Sequence, residues 1–421
     1  MKKRVILFDH NSKLNYTLNE VLALNVEVFC INNQNNIQKN KECNVFYVDY
    51  LNNPKEALEQ LIKLNEEYKF DGILCFAEQA LCFVSELCKT LNLNFVSKKA
   101  IKTTRNKSLL KEQFILNGVK TSQYLAINTE KDIDENTLEK VSFPLVVKPS
   151  SGMGSMGVIR VDDYQSLVKA VKTVREFNEK NIDSLNRSNQ IVDGKIIIEE
   201  YIDGKEYAVE TFTVNGEVFI LSIGYKGYPI GPYFEESIYL APAQLESNII
   251  NKMKENVRKA VLAANIKNGP AHVELRVNAS GDSYILEIGA RIGGSGVSHF
   301  IVKETTGINF IELCLKLSLG EIIDKELNVN QMSFACNYII QIGEGGNLES
   351  IEGLDEVTKY EDTYEVILMD CIGKDYYPYP KGAFFNGYPG FVFSRHDSYK
   401  KAVDYFEFLD KTLKLKFKPF S

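Results

Sequence analysis

The residues with the most chemical content are two glutamates. They stand in the runs Ala271-His272-Val273-Glu274-Leu275-Arg276-Val277 and Tyr284-Ile285-Leu286-Glu287-Ile288-Gly289-Ala290-Arg291. Both runs alternate with period two, and Asn278-Ala279-Ser280-Gly281-Asp282-Ser283 between them is turn chemistry, so the stretch predicts a β-hairpin. A turn centred on Ser280-Gly281 sets Glu274 opposite Glu287, on a face shared with His272, Arg276, Gly289 and Arg291. Val273, Leu275, Val277, Leu286 and Ile288 then make the core face. Like charges directly opposed across a hairpin destabilise it. Two carboxylates held that close suit a hard cation such as Mg²⁺ between them. The plainer alternative is a solvated acidic face. His272 reads first as a satisfied structural histidine and second as a group that tunes the site.

Three other stretches carry chemistry. Lys148 ends an apolar strand and leads into Ser150-Ser151-Gly152-Met153-Gly154-Ser155-Met156-Gly157, whose backbone N–H groups are free to converge on an anion. No G-K-[ST] closes this loop, and it joins two strands, so it is not a P-loop. A flexible surface hairpin is the competing reading. Ile196 to Ile198 form an apolar strand that ends in Glu199-Glu200-Tyr201-Ile202-Asp203-Gly204-Lys205-Glu206, acceptors suited to an adenine amino group and ribose hydroxyls, or simply solvated acids. Arg291, followed by Ile292-Gly293-Gly294-Ser295-Gly296, offers forked donors for charge developing on a transferring phosphoryl group. A simple ion pair to Glu274 or Glu287 is its alternative. None of the four histidines belongs to a recognisable nucleophilic arrangement.

The elements that must hold these residues follow from periodicity. Residues 1–100 alternate short apolar strands with amphipathic helices such as Pro54–Tyr68 and Gln79–Leu91, the pattern of an open parallel sheet. Asp9-His10-Asn11-Ser12 follows the first strand, so the dinucleotide fingerprint is absent there. Helices at Lys98–Arg105 and Lys107–Leu116 open residues 101–202, which also hold the Lys148 loop, a helix over Asp163–Glu179 and a polar surface loop over Asn181–Asn189. Residues 203–325 carry the hairpin Tyr207–Gly224 around Asn215-Gly216, a helix at Leu245–Ala264 and the glutamate hairpin. Residues 326–421 read as β-rich with a final helix near Ser398–Lys411. A net charge of −7 over 421 residues argues against a nucleic-acid or anionic-membrane partner. No apolar run is long enough to span a bilayer. The start, Met1-Lys2-Lys3-Arg4-Val5-Ile6-Leu7-Phe8-Asp9, reads as a first strand rather than a signal peptide. Eight cysteines with no C-x-x-C pair read as reduced, mostly buried thiols of a cytoplasmic protein.

In order, Lys107, strand–Lys148–glycine loop, Glu199-Glu200-Tyr201-Ile202, Glu274 and Glu287-x-x-x-Arg291 resemble the ATP-grasp superfamily, most of all its carboxylate–amine ligases that make dipeptides. The resemblance runs from the first module, through Asp71-Gly72-Ile73 and Glu78, to about Gly320. It implies an α/β ATP-grasp fold: a parallel α/β module, a small and a large α+β subdomain, and a lid-like β-rich tail. It implies ATP held by Lys107, Lys148, Gly154, Ser155, Glu199, the backbone of Tyr201 and Ile202, and Glu206. Glu274 and Glu287 match the Mg²⁺ ligands, with Mn²⁺ as a substitute. Arg291 matches the arginine that stabilises acyl phosphate and tetrahedral intermediates, Glu78 a substrate-proximal acid, and Glu236 a residue facing the acceptor substrate. Partners would be a small carboxylate and an amine, and the assembly a homodimer. Relatives keep an Asn two residues after the second metal Glu. Here that position is Gly289, which removes one oxygen ligand. Two other readings stay open: a carboxylase-type or sugar-linked ligase, and a nucleotide-binding homologue that has lost catalysis.

Overall fold

A computed structural model describes the chain except residues 1, 9–14, 34–42, 135–137, 153–155, 188–192, 228–236, 324–326, 328, 344, 370, 378–386 and 421. Gly154, Ser155 and Glu236 therefore lie outside the described residues.

The N-terminal rhythm folds as β1 (Arg4–Phe8), α1 (Asn15–Leu22), β2 (Glu27–Asn32), β3 (Asn44–Tyr47), α2 (Pro54–Tyr68), β4 (Gly72–Cys75) and α3 (Leu81–Leu91). The strands run parallel in the order β3-β2-β1-β4. The central strands are buried on both faces, as an apolar run without alternation requires. Glu78 follows β4 at its carboxyl end, in the turn before α3.

Helices α4 (Lys98–Thr104) and α5 (Lys107–Leu116) come next, capped by Ser97 and Asn106, whose side chains accept from Ala100 and Leu109 amides. A small antiparallel sheet then forms from β5 (Tyr124–Ile127), β6 (Leu145–Pro149), β7 (Ile159–Val161) and β8 (Ile196–Glu200), in the order β5-β8-β6-β7. Helix α6 (Tyr164–Arg187) packs Leu167, Val171 and Val174 on it. The surface loop expected from Asn181 is corrected: the helix continues to Arg187. No Gly or Pro interrupts residues 178–187, so the polar run contains no helix breaker.

The large sheet takes β9 (Lys205–Val214), β10 (Glu217–Gly227), β11 (Ile238–Ala241), β12 (Gly269–Val277) and β13 (Ser283–Gly289), backed by α7 (Ser247–Ala263). Asn215 and Gly216, both at positive φ, make the two-residue turn between β9 and β10. Then come α8 (Val297–Thr306), α9 (Phe310–Leu319), β14 (Phe334–Ile339), β15 (Gly346–Glu352), α10 (Leu354–Lys359), β16 (Thr363–Leu368), β17 (Asp375–Tyr376), β18 (Gly390–His396), α11 (Tyr399–Thr412) and β19 (Lys414–Lys418). The eight-stranded order is β13-β12-β9-β10-β11-β14-β18-β16, so one sheet takes strands from both sides of residue 325. The remaining strands form a separate sheet, β17-β15-β19.

Candidate active site

Glu274 on β12 and Glu287 on β13 are Cα partners. The route to that register differs from the expected one. Nearer the turn, Val277 faces Ser283 and Leu275 faces Ile285, a register that would set Glu274 against Leu286. A bulge at Leu286 restores the glutamate pairing. The cause is the turn: Asn278 caps it through its side chain, accepting from the Ser280 and Asp282 amides at 3.0 Å each, and this loop is longer than a two-residue turn. Leu286, expected on the core face, instead lines the cleft, and Ile285 is the buried residue.

Strand β9 lies on the other side of β12 and supplies the partners of its polar face, because His272 faces Glu210 and Arg276 faces Glu206 in register. His272 Nδ1 lies 2.6 Å from Glu210 Oε1, and Nε2 lies 3.2 Å from Glu274 Oε1. Arg276 donates from Nε and Nη2 to Glu206 Oε2, both at 3.1 Å, and from Nη1 to the Ile202 carbonyl at 3.2 Å. Lys226 on β10 sets its Nζ 2.9 Å from Glu274 Oε1 and 3.3 Å from Glu206 Oε1. Lys107, at the start of α5, reaches Glu287 Oε1 at 2.9 Å and donates to the Gly152 carbonyl at 3.2 Å. Burial alone would raise the Glu274 carboxyl, but Lys226 and His272 hold it well below its ordinary value. Burial would lower His272, and Glu210 with Glu274 outweighs it, bringing the imidazole up to about 9.

Two buried acids bracket this group. Glu199, the penultimate residue of β8, has Lys148 on one oxygen and Lys111, at 2.8 Å, on the other. Burial opposes its charge, yet the two ammonium groups drive its pKa well down. Glu78 pairs with Arg105 Nη1 at 2.8 Å and with Arg291. Here too burial would raise the carboxyl, but Arg291 and Arg105 hold it down to about 2.

The cleft between these groups measures about 420 Å³. Of the residues singled out in sequence, Glu78, Lys107, Lys148, Glu199, Ile202, Glu206, Glu274, Glu287 and Arg291 all line it. Tyr201 does not: its amide donates to the Pro144 carbonyl at 2.9 Å, and its ring lies between the guanidinium groups of Arg160 and Arg276. Arg291 pairs with Glu78 rather than with the glutamates of its own hairpin. Lys226, Tyr239 and Leu286 also line the cleft, as does Arg276, which alternation places on the glutamate face. At one end Val146, Val158, Ile202 and Leu286 make apolar walls that suit a flat base. A Ser–His–Asp line does exist elsewhere: His396 contacts Ser394 Oγ at 2.9 Å and Asp362 Oδ2 at 3.0 Å. Ser394 and His396 are buried, and none of the three lines the cleft, so this network is structural.

Residues 141–299 match the family model for the ATP-grasp domain. Over its whole length the chain is similar to the crystal structure of L-amino acid ligase from Bacillus licheniformis, with 34% identity, 99% of both chains covered and a TM-score of 0.91. The chain belongs to the ATP-grasp family. This ATP-grasp chain is also similar to the alanine–anticapsin ligase of Bacillus subtilis (strain 168), 24% identical over 274 residues, which is 62% of this chain and 56% of that protein. The L-arginine-specific L-amino acid ligase of Bacillus subtilis is 24% identical over 275 residues, 63% of this chain and 61% of that protein. The ATP-grasp chain thus spans little more than half the length of these curated relatives.

As a metal site, the ATP-grasp cleft offers two opposed carboxylates. Among the described residues no three His, Cys, Asp or Glu side chains form a ready cage. That donor set fits Mg²⁺, which keeps several waters and is held by one or two carboxylates together with substrate phosphates. Gly289 adds no oxygen, and a Cβ there would sit 3.5 Å from Glu78 Oε2 and 3.7 Å from Arg291 Cγ and Cζ.

Proposed function

We propose that this protein is an ATP-dependent carboxylate–amine ligase that joins amino acids, or a similar small carboxylate and an amine, through an acyl phosphate. One observation carries the reading: Lys107, Lys148, Lys226 and Arg291 line one cleft with the opposed pair Glu274 and Glu287, Lys107 on Glu287 and Lys226 on Glu274. Full-length similarity to an L-amino acid ligase supports the ligase class.

Lys107 and Lys148 would meet the phosphates. The apolar walls and the Glu199–Ile202 stretch would take the adenine, and Glu206 the ribose. Glu274 and Glu287 would hold Mg²⁺, which when bound draws charge from the phosphate oxygens. The substrate carboxylate attacks the γ-phosphorus, forming the acyl phosphate and ADP. The amine, as its free base, then attacks the acyl carbon, phosphate leaves, and the amine's proton passes to solvent. Arg291, held by Glu78, aims its guanidinium at the charge that develops in both steps. The protein positions and neutralises; no side chain is a nucleophile.

Phosphate release from MgATP across amino-acid pairs, with mass spectrometry of the products, tests this. A condensed product with one phosphate per bond is expected. Phosphate release that needs bicarbonate would favour a carboxylase-type reaction instead. Gly289 is the feature that favours a catalytically lost homologue, and MgATP binding without turnover on any pair would establish that reading.

A further inference from the structure

Lys111 lies behind the cleft wall, and no step above uses it. It stands one turn after Lys107 on α5, so both side chains leave the same face of the helix. Lys107 enters the cleft, whereas the Lys111 side chain is only 2% exposed and meets Glu199 from behind. Its Nζ lies 2.8 Å from Glu199 Oε2 and donates to Thr121 Oγ1 at 2.6 Å and Ser122 Oγ at 2.7 Å. Ser122 Oγ donates to the same Glu199 oxygen at 2.9 Å, and Thr121 Oγ1 donates to the Ile285 carbonyl at 2.7 Å, next to the bulge. The other oxygen of Glu199 is taken by Lys148, whose side chain lines the cleft. One buried carboxylate thus carries two ammonium groups, one anchored in the wall and one facing the ligand space. The cluster has one positive charge in surplus.

We propose that Lys111 is a positioning residue that keeps Glu199 compensated, so that Lys148 is released to a nucleotide phosphate. An uncompensated carboxylate at this depth is strongly unfavourable. Without Lys111, Lys148 must neutralise Glu199, and a phosphate has to compete for it. With Lys111 in place, the surplus charge is available to the incoming anion. The inference rests on the reading of the cleft as an ATP site.

The test is nucleotide affinity, measured by calorimetry with Mg²⁺ and a non-hydrolysable ATP analogue. In the wild-type background Lys111→Met should weaken binding tenfold or more. In a Glu199→Gln background, where no carboxylate competes for Lys148, the same change should cost at least threefold less. Lys111→Arg, which keeps the charge, should bind better than Lys111→Met. An unchanged affinity in Lys111→Met, or an equal loss in both backgrounds, would overturn the proposal, since a merely structural lysine costs the same in each. A wild-type protein that binds no nucleotide would instead overturn the ATP reading itself. Should Lys111→Met not fold, a wild-type crystal structure with the analogue decides the matter. Lys148 is expected on a phosphate oxygen with Lys111 still on Glu199, and Lys148 retained by Glu199 would sink the idea.

Discussion

Glu78 and Arg291 are 213 residues apart in sequence and form a part-buried ion pair in the cleft lining. Glu78 comes from the end of the parallel sheet and Arg291 from just past the β12–β13 hairpin, so the pair ties the first module to the candidate reaction centre. Arg105 completes it from the other side.

That arrangement makes the pair acid-sensitive. The carboxyl of Glu78 is depressed from 4.5 to about 2, so its stabilisation is full above pH 4.5 and is lost as pH falls through about 2. Glu78→Gln removes the carboxylate shared by the Arg105 and Arg291 guanidinium groups and should cost about 3 kcal/mol at pH 7 in urea denaturation. The gap to wild type should narrow between pH 4.5 and pH 3. A gap of constant size over that range would contradict the assignment.

In the proposed mechanism Arg291 acts on developing charge rather than on ground-state nucleotide. Arg291→Ala should lower kcat by about 100-fold or more, while nucleotide affinity stays within about threefold. Arg291→Lys should recover little, because a point charge cannot reproduce the fork that Glu78 holds. Normal turnover in Arg291→Ala would remove the residue from the mechanism.

Gly289 leaves the Glu78–Arg291 pair its room. A Cβ fits at ordinary contact distance, 3.5 Å from Glu78 Oε2, so Gly289→Ala should keep kcat within about twofold. Gly289→Asn projects a larger side chain toward the pair and should lower kcat about tenfold or more. If Asn instead raised activity and tightened Mg²⁺ binding, the missing oxygen ligand would be the dominant effect.

Metal dependence follows from the two opposed carboxylates. Chelation should abolish phosphate release, and Mg²⁺ should restore it, with Mn²⁺ able to substitute. Glu274→Gln and Glu287→Gln should each raise the metal concentration for half-maximal rate about tenfold or more. Turnover in excess chelator would refute the role given to the pair.

Much of the candidate site is visible in sequence because it lies on local features. Asn215-Gly216 dictates its own two-residue turn, and alternation puts Glu274 on the polar face of β12, while the bulge at Leu286 is what brings Glu287 opposite it. The caps of α4 and α5 are equally local, and α5 is what launches Lys107. Leu286 is the instructive miss. The composition of residues 278–282 marks a turn but not its length, and one residue of difference in a strand exchanges the two faces.

The sequence by itself determined most of the elements, the hairpin that carries Glu274 and Glu287 and the order of charged residues along the chain, because helix and strand periods and turn chemistry act over a few residues. Tertiary structure alone decided the partners. Lys226 meets Glu274, Glu210 meets His272, Lys111 meets Glu199, and Arg291 turns from its own hairpin to Glu78. Those choices depend on strand order and on burial, which makes a charge seek its counter-ion wherever the fold brings one near, and neither leaves a local trace in the chain.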